Sequence, residues 1–182
     1  MRRATEEAGR LHRALAAHPG PLERVPLGDF PTPVERAPGL SDAAGVEVWV
    51  KREDRSSPIY GGNKVRKLEH LLAGPARPVI TVGAVGSHHV LATAVHARRL
   101  GRACTGVLVP QPMTAHARST RALVERHCER VVRVAPTPAA VAEGVRAAVA
   151  ALIGAGTRRG VTFVPPGGTT FAGTVGHVRA GL

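Results

Sequence analysis

Aromatic side chains are scarce in this chain: one Trp, one Tyr and three Phe make up 3% of its 182 residues. That leaves few rings on which nucleic-acid bases could stack. Lysine is scarce too. Lys51, Lys64 and Lys67 are the only three, so the formal charge of +12 rests almost wholly on arginine. The arginines are scattered along the chain rather than gathered into a stripe. The charge therefore reads as compositional bias and not as a nucleic-acid footprint. Cysteine is limited to Cys104 and Cys128. Two cysteines make no disulfide framework, and their spacing fits no metal pattern. Both fall in apolar periodic surroundings and read as core thiols. No apolar run approaches the roughly 20 residues that would span a bilayer.

What is present suffices for a core. The hydrophobic fraction is 43%, and the length suits one domain or a little more. Residues 1–24 read as a basic helical leader. Glu6 and Glu7 argue against a transit peptide, and a secretory signal would need an apolar stretch that this segment lacks. The cytoplasm is the expected compartment.

Prolines 21, 26, 31, 33 and 38 then favour extended chain over helix. Beyond them, strand-like and helix-like segments alternate. Residues 46–53 alternate with period two and are rich in β-branched side chains. Residues 64–73 have helical spacing and stop at Gly74-Pro75. Short apolar strands are expected over 78–85, 103–110, 130–135 and 161–166. Helices are expected over 88–101 (with Ser87 as N-cap), over 114–128, from Pro138 to about Ile153, and from the GGTT at 167–170 to Leu182. Strands joined by helices at this spacing imply an α/β fold: an open, mostly parallel sheet with helices on both faces. In such sheets ligands bind beyond the carboxyl ends of the strands. That rule points to the turns at Gly83–His89, Pro110–Thr114 and Pro165–Thr170.

Three constellations could carry chemistry. The first is Tyr60-Gly61-Gly62-Asn63-Lys64, followed by Val65-Arg66-Lys67-Leu68-Glu69. Two glycines let a ligand come close to the backbone, and a lysine at a helix start can become a nucleophile. An ordinary helix cap followed by solvated cations is the plainer reading. The second is Gly83-Ala84-Val85-Gly86-Ser87-His88-His89, where the free N–H groups of a helix start can hold a carboxylate or phosphate. Its adjacent histidines point about 100° apart on a helix, which speaks against a shared metal ion. The third, Pro165–Thr170, could be a phosphate cup or only a tight turn. The remaining histidines look isolated, and Glu53-Asp54 looks like a solvated pair.

Together these segments are more specific than any one of them. LGDFPTPVERAPGLS, VWVKREDRSSPIYGGNKVRKLEHLL, VGAVGSHHVLATAVHARRLG and VPPGGTTFAGTVGHV resemble, in order and spacing, the aminocyclopropane-carboxylate deaminase / D-cysteine desulfhydrase family. The resemblance covers about residues 25–182. It implies a tryptophan-synthase-β-like fold and pyridoxal 5'-phosphate as cofactor. It also implies a lyase or deaminase acting on a small amino acid, releasing ammonia and an α-keto acid. By resemblance, Lys64 is the Schiff-base lysine and Asn63 its neighbour at the cofactor edge. Ser87 is then the group that binds the substrate carboxylate or assists proton transfer, with His88 and His89 beside it. The residue after that serine is typically Asn and reaches the 3'-oxygen of the cofactor ring. Here it is His88, whose imidazole can still donate a hydrogen bond.

Similar proteins continue well past the position matching Leu182. The resemblance thus implies that residues 25–182 are the N-terminal portion of the enzyme domain, with GGTT crossing between domains. The phosphate loop, the residue facing the ring nitrogen and the substrate tyrosines would belong to the further portion. A homodimer mate or a complementing C-terminal fragment is the expected partner, besides the substrate. The competing reading is a catalytically inactive α/β remnant, serving as a binding module or without function.

Overall fold

The proline-rich arm is less uniform than its composition suggests. The computed structural model describes residues 23–154 and 160–178, so the leader expected over 1–24 and the end of the last helix lie almost wholly outside the described residues. Strand β1, Val34–Arg36, is followed by helix α1, Pro38–Ala44. Pro38 opens this helix instead of forbidding one, because the first helical position needs no N–H and favours a proline φ. Gly45 ends it in the left-handed region, at φ 67°, and returns its N–H to the Ser41 carbonyl at 2.9 Å.

The strand expected over 46–53 shrinks to β2, Trp49–Lys51, and pairs antiparallel with β1 in a separate two-stranded sheet. It does not join the parallel set. Its side chains are exposed or half-buried, and an inner parallel strand would need both faces covered.

The main sheet holds β3 (Val79–Ala84), β4 (Cys104–Val109), β5 (Arg130–Arg133) and β6 (Thr162–Val164), in the order β5-β4-β3-β6 and parallel throughout. Helix α2 (Lys64–Leu71) precedes it. The crossovers are α3 (His88–Arg99), α4 (Ala115–His127) and α5 (Pro138–Gly154), and α6 (Phe171–Val178) follows β6. The expected open α/β sheet with helices on both faces is what forms.

Period-two alternation in the strands feeds two cores. On one face Val79, Leu108 and Val164 pack with Leu68 of α2 and Val90 and Leu91 of α3. On the other, Ile80, Val82 and Val107 pack against Val145, Ala148 and Val149 of α5. Helix α3 is buried without a break from His89 to Ala97, because it lies under the sheet and is itself covered by α2 and α4. Cys104 and Cys128 are free, buried and hydrogen-bonded to each other, as core thiols should be.

The arm before β1 is fastened to α2. Glu69, 3% exposed, accepts hydrogen bonds from the Leu27 N–H at 3.1 Å and the Gly28 N–H at 3.4 Å, and Arg24 reaches it at 3.2 Å. Leu27 is fully buried beneath this clamp, which contributes about 2 kcal/mol of transfer free energy. Helix α6 then crosses α2 so closely that a Cβ on Gly176 would stand 2.2 Å from the Arg66 carbonyl oxygen. The substitution Gly176→Ala is expected to cost about 1–3 kcal/mol by forcing these helices apart. Urea denaturation checks this; an unchanged midpoint would contradict the crossing.

Candidate active site

The strand order defines where a ligand belongs. From β3 the chain winds outward through β4 to β5, then returns by way of α5 to place β6 on the other side of β3. The connections therefore diverge between β3 and β6, and in open parallel sheets that switch point forms the ligand crevice at the carboxyl ends. Two of the three turns singled out in the sequence, Gly83–His89 and Pro165–Thr170, flank it. The third, after β4, backs the first: a Cβ on Gly86 would meet Gln111 Nε2 at 2.5 Å and the Ala117 Cα at 2.9 Å.

Helix α2 brings the lysine to this crevice. Lys64 is its first residue and is half-buried. The loop before it is held by backbone and hydroxyl bonds. The Gly62 N–H donates to the Glu53 carbonyl at 2.8 Å and to Ser56 Oγ at 2.9 Å, and that hydroxyl donates to the Gly62 carbonyl at 3.0 Å. Gly61 has no room for a side chain, since a Cβ would lie 2.1 Å from the Asp54 carbonyl oxygen. Asn63 takes the N-cap position with helical backbone angles, and its side chain makes no capping bond and is exposed.

Arg66 locks the loop to the helix. Its guanidinium donates to Glu53 Oε2 at 2.7 Å and Oε1 at 2.8 Å and to Thr32 Oγ1 at 3.3 Å, and it lies over the Phe30 ring at 4.1 Å. Thr32 Oγ1 donates to Glu53 Oε1 at 2.6 Å. These bonds, the Arg66 pair foremost, hold the Glu53 carboxyl below its usual titration range. Glu53 is thus an anchored counter-ion and not part of a solvated pair; Asp54 beside it is exposed and paired with Arg52. On the other flank of α2, Lys67 Nζ donates to the Gly167 carbonyl at 3.1 Å and so ties the helix to the turn after β6.

The turn after β3 supplies the rest. Ser87 caps α3, its Oγ accepting from the Val90 N–H at 3.4 Å. The two histidines after it diverge, as helical spacing requires. The His88 ring is exposed and bonds to Tyr60 Oη through Nδ1 at 2.5 Å and to His116 Nε2 through Nε2 at 2.7 Å. His89 turns inward and is 5% exposed, with Nε2 3.3 Å from Thr81 Oγ1. His116 is therefore not isolated, and neither is His96, which is fully buried and bonds to the Tyr60 carbonyl at 3.0 Å.

The crevice gathers basic side chains. Burial pushes the Lys67 ammonium down, and the charge of Lys64 adds to this. Burial likewise lowers His177 on α6, with Lys67 and Lys64 contributing. His89 falls to about 4 through burial, reinforced by the same two lysines and opposed by the Pro165 carbonyl. The nearby carboxylate, Glu53, is already committed to Arg66. An anionic group fits such a place, and His89 Nδ1 is buried without a hydrogen-bond partner. Among the described residues no group of three His, Cys, Asp or Glu could hold a metal ion.

A lysine at a helix start, two residues after a glycine pair, thus stands with a second lysine at the switch point of a parallel α/β sheet. Residues 25–182 match the pyridoxal-phosphate dependent enzyme family, and the chain belongs to it. It is 40% identical to the nocardicin C-9' epimerase of Nocardia uniformis subsp. tsuyamanensis over 173 residues, 90% of this chain and 50% of that protein. It is 45% identical to the D-cysteine desulfhydrase of Salmonella typhimurium over 94 residues, 48% of this chain and 29% of that protein. The chain thus spans about half the length of the epimerase and less of the desulfhydrase. Among solved structures, one described as an ACC deaminase homologue superposes with a TM-score of 0.74 at 32% identity, over 93% of this chain and 51% of that one. The family depends on pyridoxal phosphate.

Of the sequence candidates, Lys64, Ser87 and His89 come from the elements that flank the crevice, His88 points away from His89, and Asn63 stands exposed at its rim. Sequence reasoning placed Tyr60, Arg66 and Lys67 in the first constellation without giving them roles of their own, and it read His116 as isolated. For Arg66 and Lys67 a signal existed, since helical period places them on different faces of α2.

The titration of His89 has a readable consequence. Its folded pKa of about 4 lies below the unfolded value of 6.5, so the unfolded chain takes up the proton first on acidification. Stability is therefore full above about pH 6.5 and is lost as pH falls toward 4. Between pH 7 and pH 5 the wild-type protein should lose about 2 kcal/mol more than His89→Gln. Urea midpoints at the two pH values test this, and equal losses would contradict the burial of a neutral ring.

Proposed function

We propose that the protein uses pyridoxal 5'-phosphate, joined to Lys64, to act at the α-carbon of a small amino acid as a lyase or deaminase. Ammonia and an α-keto acid would leave, with sulfide too if the substrate is a cysteine. The observation that carries this reading is the placement of Lys64 at the head of α2, beside Lys67, in a crevice of uncompensated positive charge. The similarity to D-cysteine desulfhydrase and to the ACC deaminase homologue supports the reaction class.

When bound, the cofactor supplies an electron sink for charge developing at the α-carbon. The protein's own residues do the rest. Lys64 would hold the cofactor, and its amine nitrogen would take and return the α-proton of the substrate. Ser87 Oγ and the first amides of α3 form a helix N-terminus that receives the substrate carboxylate. Asn63, exposed beside Lys64, would neighbour the cofactor edge. Arg66, Glu53 and Thr32 do not touch the reaction; they hold the loop that aims Lys64.

A second reading has its own support. The epimerase similarity extends over 90% of this chain, and inversion at an amino-acid carbon begins with the same proton removal. Residues 25–182 would then, on either reading, be the N-terminal portion of the enzyme domain, active as a homodimer or with a complementing C-terminal portion. An inactive remnant is the alternative that the tests below exclude or establish. We assign the protein to the cytoplasm and to no nucleic-acid partner, since its arginines form no stripe; among the described residues no helix is long and apolar enough to cross a membrane.

Borohydride reduction after addition of pyridoxal phosphate should leave one pyridoxyl group on the peptide containing Lys64. Lys64→Ala should lose it while keeping the wild-type circular dichroism. Label found equally on surface amines, or retained in the variant, would sink the assignment. Incubation of D-cysteine and other small amino acids in deuterium oxide separates the two reactions. Keto acid and ammonia support the lyase, whereas deuterated amino acid of inverted configuration without ammonia supports the epimerase.

A further inference from the structure

The hydrogen bonds around His88 form a chain that the functional reading does not use. Tyr60 immediately precedes the glycines of the lysine loop, His88 directly follows the serine that caps α3, and His116 lies in the first turn of α4. Three separate segments thus bring three titratable groups into line. Tyr60 Oη meets His88 Nδ1 at 2.5 Å, and His88 Nε2 meets His116 Nε2 at 2.7 Å. The Tyr60 and His88 rings stack at 6.4 Å and 29°, and those of His88 and His116 lie 4.9 Å apart, tilted by 34°. Tyr60 is itself held from behind, where the buried His96 ring donates to its carbonyl at 3.0 Å.

A nitrogen-to-nitrogen hydrogen bond works only when one ring nitrogen carries the proton and the other does not. The two imidazoles therefore hold complementary tautomers. Because both nitrogens of His88 are engaged, the state of one end of the chain sets the other. In one state His116 Nε2–H donates to His88 Nε2, and His88 Nδ1–H donates to Tyr60 Oη. In the other, Tyr60 O–H donates to His88 Nδ1, and His88 Nε2–H donates to His116 Nε2. The heavy atoms stand still between the two.

We propose that Tyr60, His88 and His116 form a proton relay between the exposed face of α4 and the mouth of the Lys64–Ser87 crevice, with Tyr60 as its inner end. This rests on the reading of the crevice as a site of α-proton chemistry. When Tyr60 gives its proton to a group in the site, it takes the one on His88 Nδ1. His88 takes the one on His116 Nε2, and His116 Nδ1 takes one from solvent. One proton enters and one leaves, and the chain ends in its second state. The exposure of His88 and His116 gives the outer end access to water. The relay engages both ring nitrogens of His88, one toward Tyr60 and one toward His116. His116 is a positioning residue that acts through His88.

Long-range nitrogen–proton correlation NMR of the histidine rings tests the chain without cofactor. Wild-type protein should show His88 and His116 in complementary neutral tautomers, and His116→Ala should release the constraint on His88. With cofactor and substrate in deuterium oxide, His116→Ala should slow exchange at the α-carbon roughly 10–100-fold while leaving KM and the Lys64 adduct unchanged. Free imidazole should restore much of the rate, and Tyr60→Phe should be slow and unrescued. A His88 tautomer indifferent to His116→Ala, or an exchange rate unchanged in that variant, overturns the relay. Failure to trap an adduct on Lys64 in wild-type protein overturns the functional reading instead, and the ring tautomers are read independently of it.

Discussion

The bidentate contact between Arg66 and Glu53 is the constraint on which the rest of the site depends. It joins the proline-rich arm, through Thr32, to the glycine loop, through Glu53, and to helix α2, through Arg66 itself. The Arg66 side chain is 8% exposed, so the charges meet where solvent screens them little. Removing Glu53 would leave the buried Arg66 guanidinium with only the Thr32 hydroxyl and the Phe30 ring as partners. Helical geometry then does the aiming. Arg66 and Glu69, three residues apart, share the face that grips the arm. Lys64 and Lys67, also three apart, share another face, turned toward the Gly167 carbonyl after β6.

A second consequence concerns charge. The chain carries +12 overall, yet the cations that matter are the few that the fold gathers at one crevice. Burial drives Lys67, His89 and His177 toward their neutral forms there, Lys64 adding to it for all three and Lys67 for the two histidines. An anionic group placed among these side chains would favour their charged forms. The same crevice lies at the sheet's switch point, so topology and electrostatics select the same place by independent routes.

Much of this was legible in the residues. The strands over 79–84 and 104–109 and the helices at 88–99 and 115–127 follow from apolar periodicity, glycine stops and the Ser87 cap, all of which are local signals. The misread segments are those where context overrides composition. Pro38 begins a helix because of its position within it, and β2 leaves the parallel set because its faces are open. The Tyr60–His88–His116 chain left no trace in spacing, since its members are separated by 28 residues at each step.

The sequence by itself determined the class of fold, the start of a helix at Lys64 after two glycines, and the Ser87 cap, because these rest on periodicity and on short-range backbone chemistry. Tertiary structure alone decided the strand order β5-β4-β3-β6 and the inward turn of His89. It also decided the role of Glu53 as an anchored partner and the meeting of three rings at the mouth of the crevice. Those outcomes depend on which distant segments the closing sheet presses together, and no local pattern encodes that.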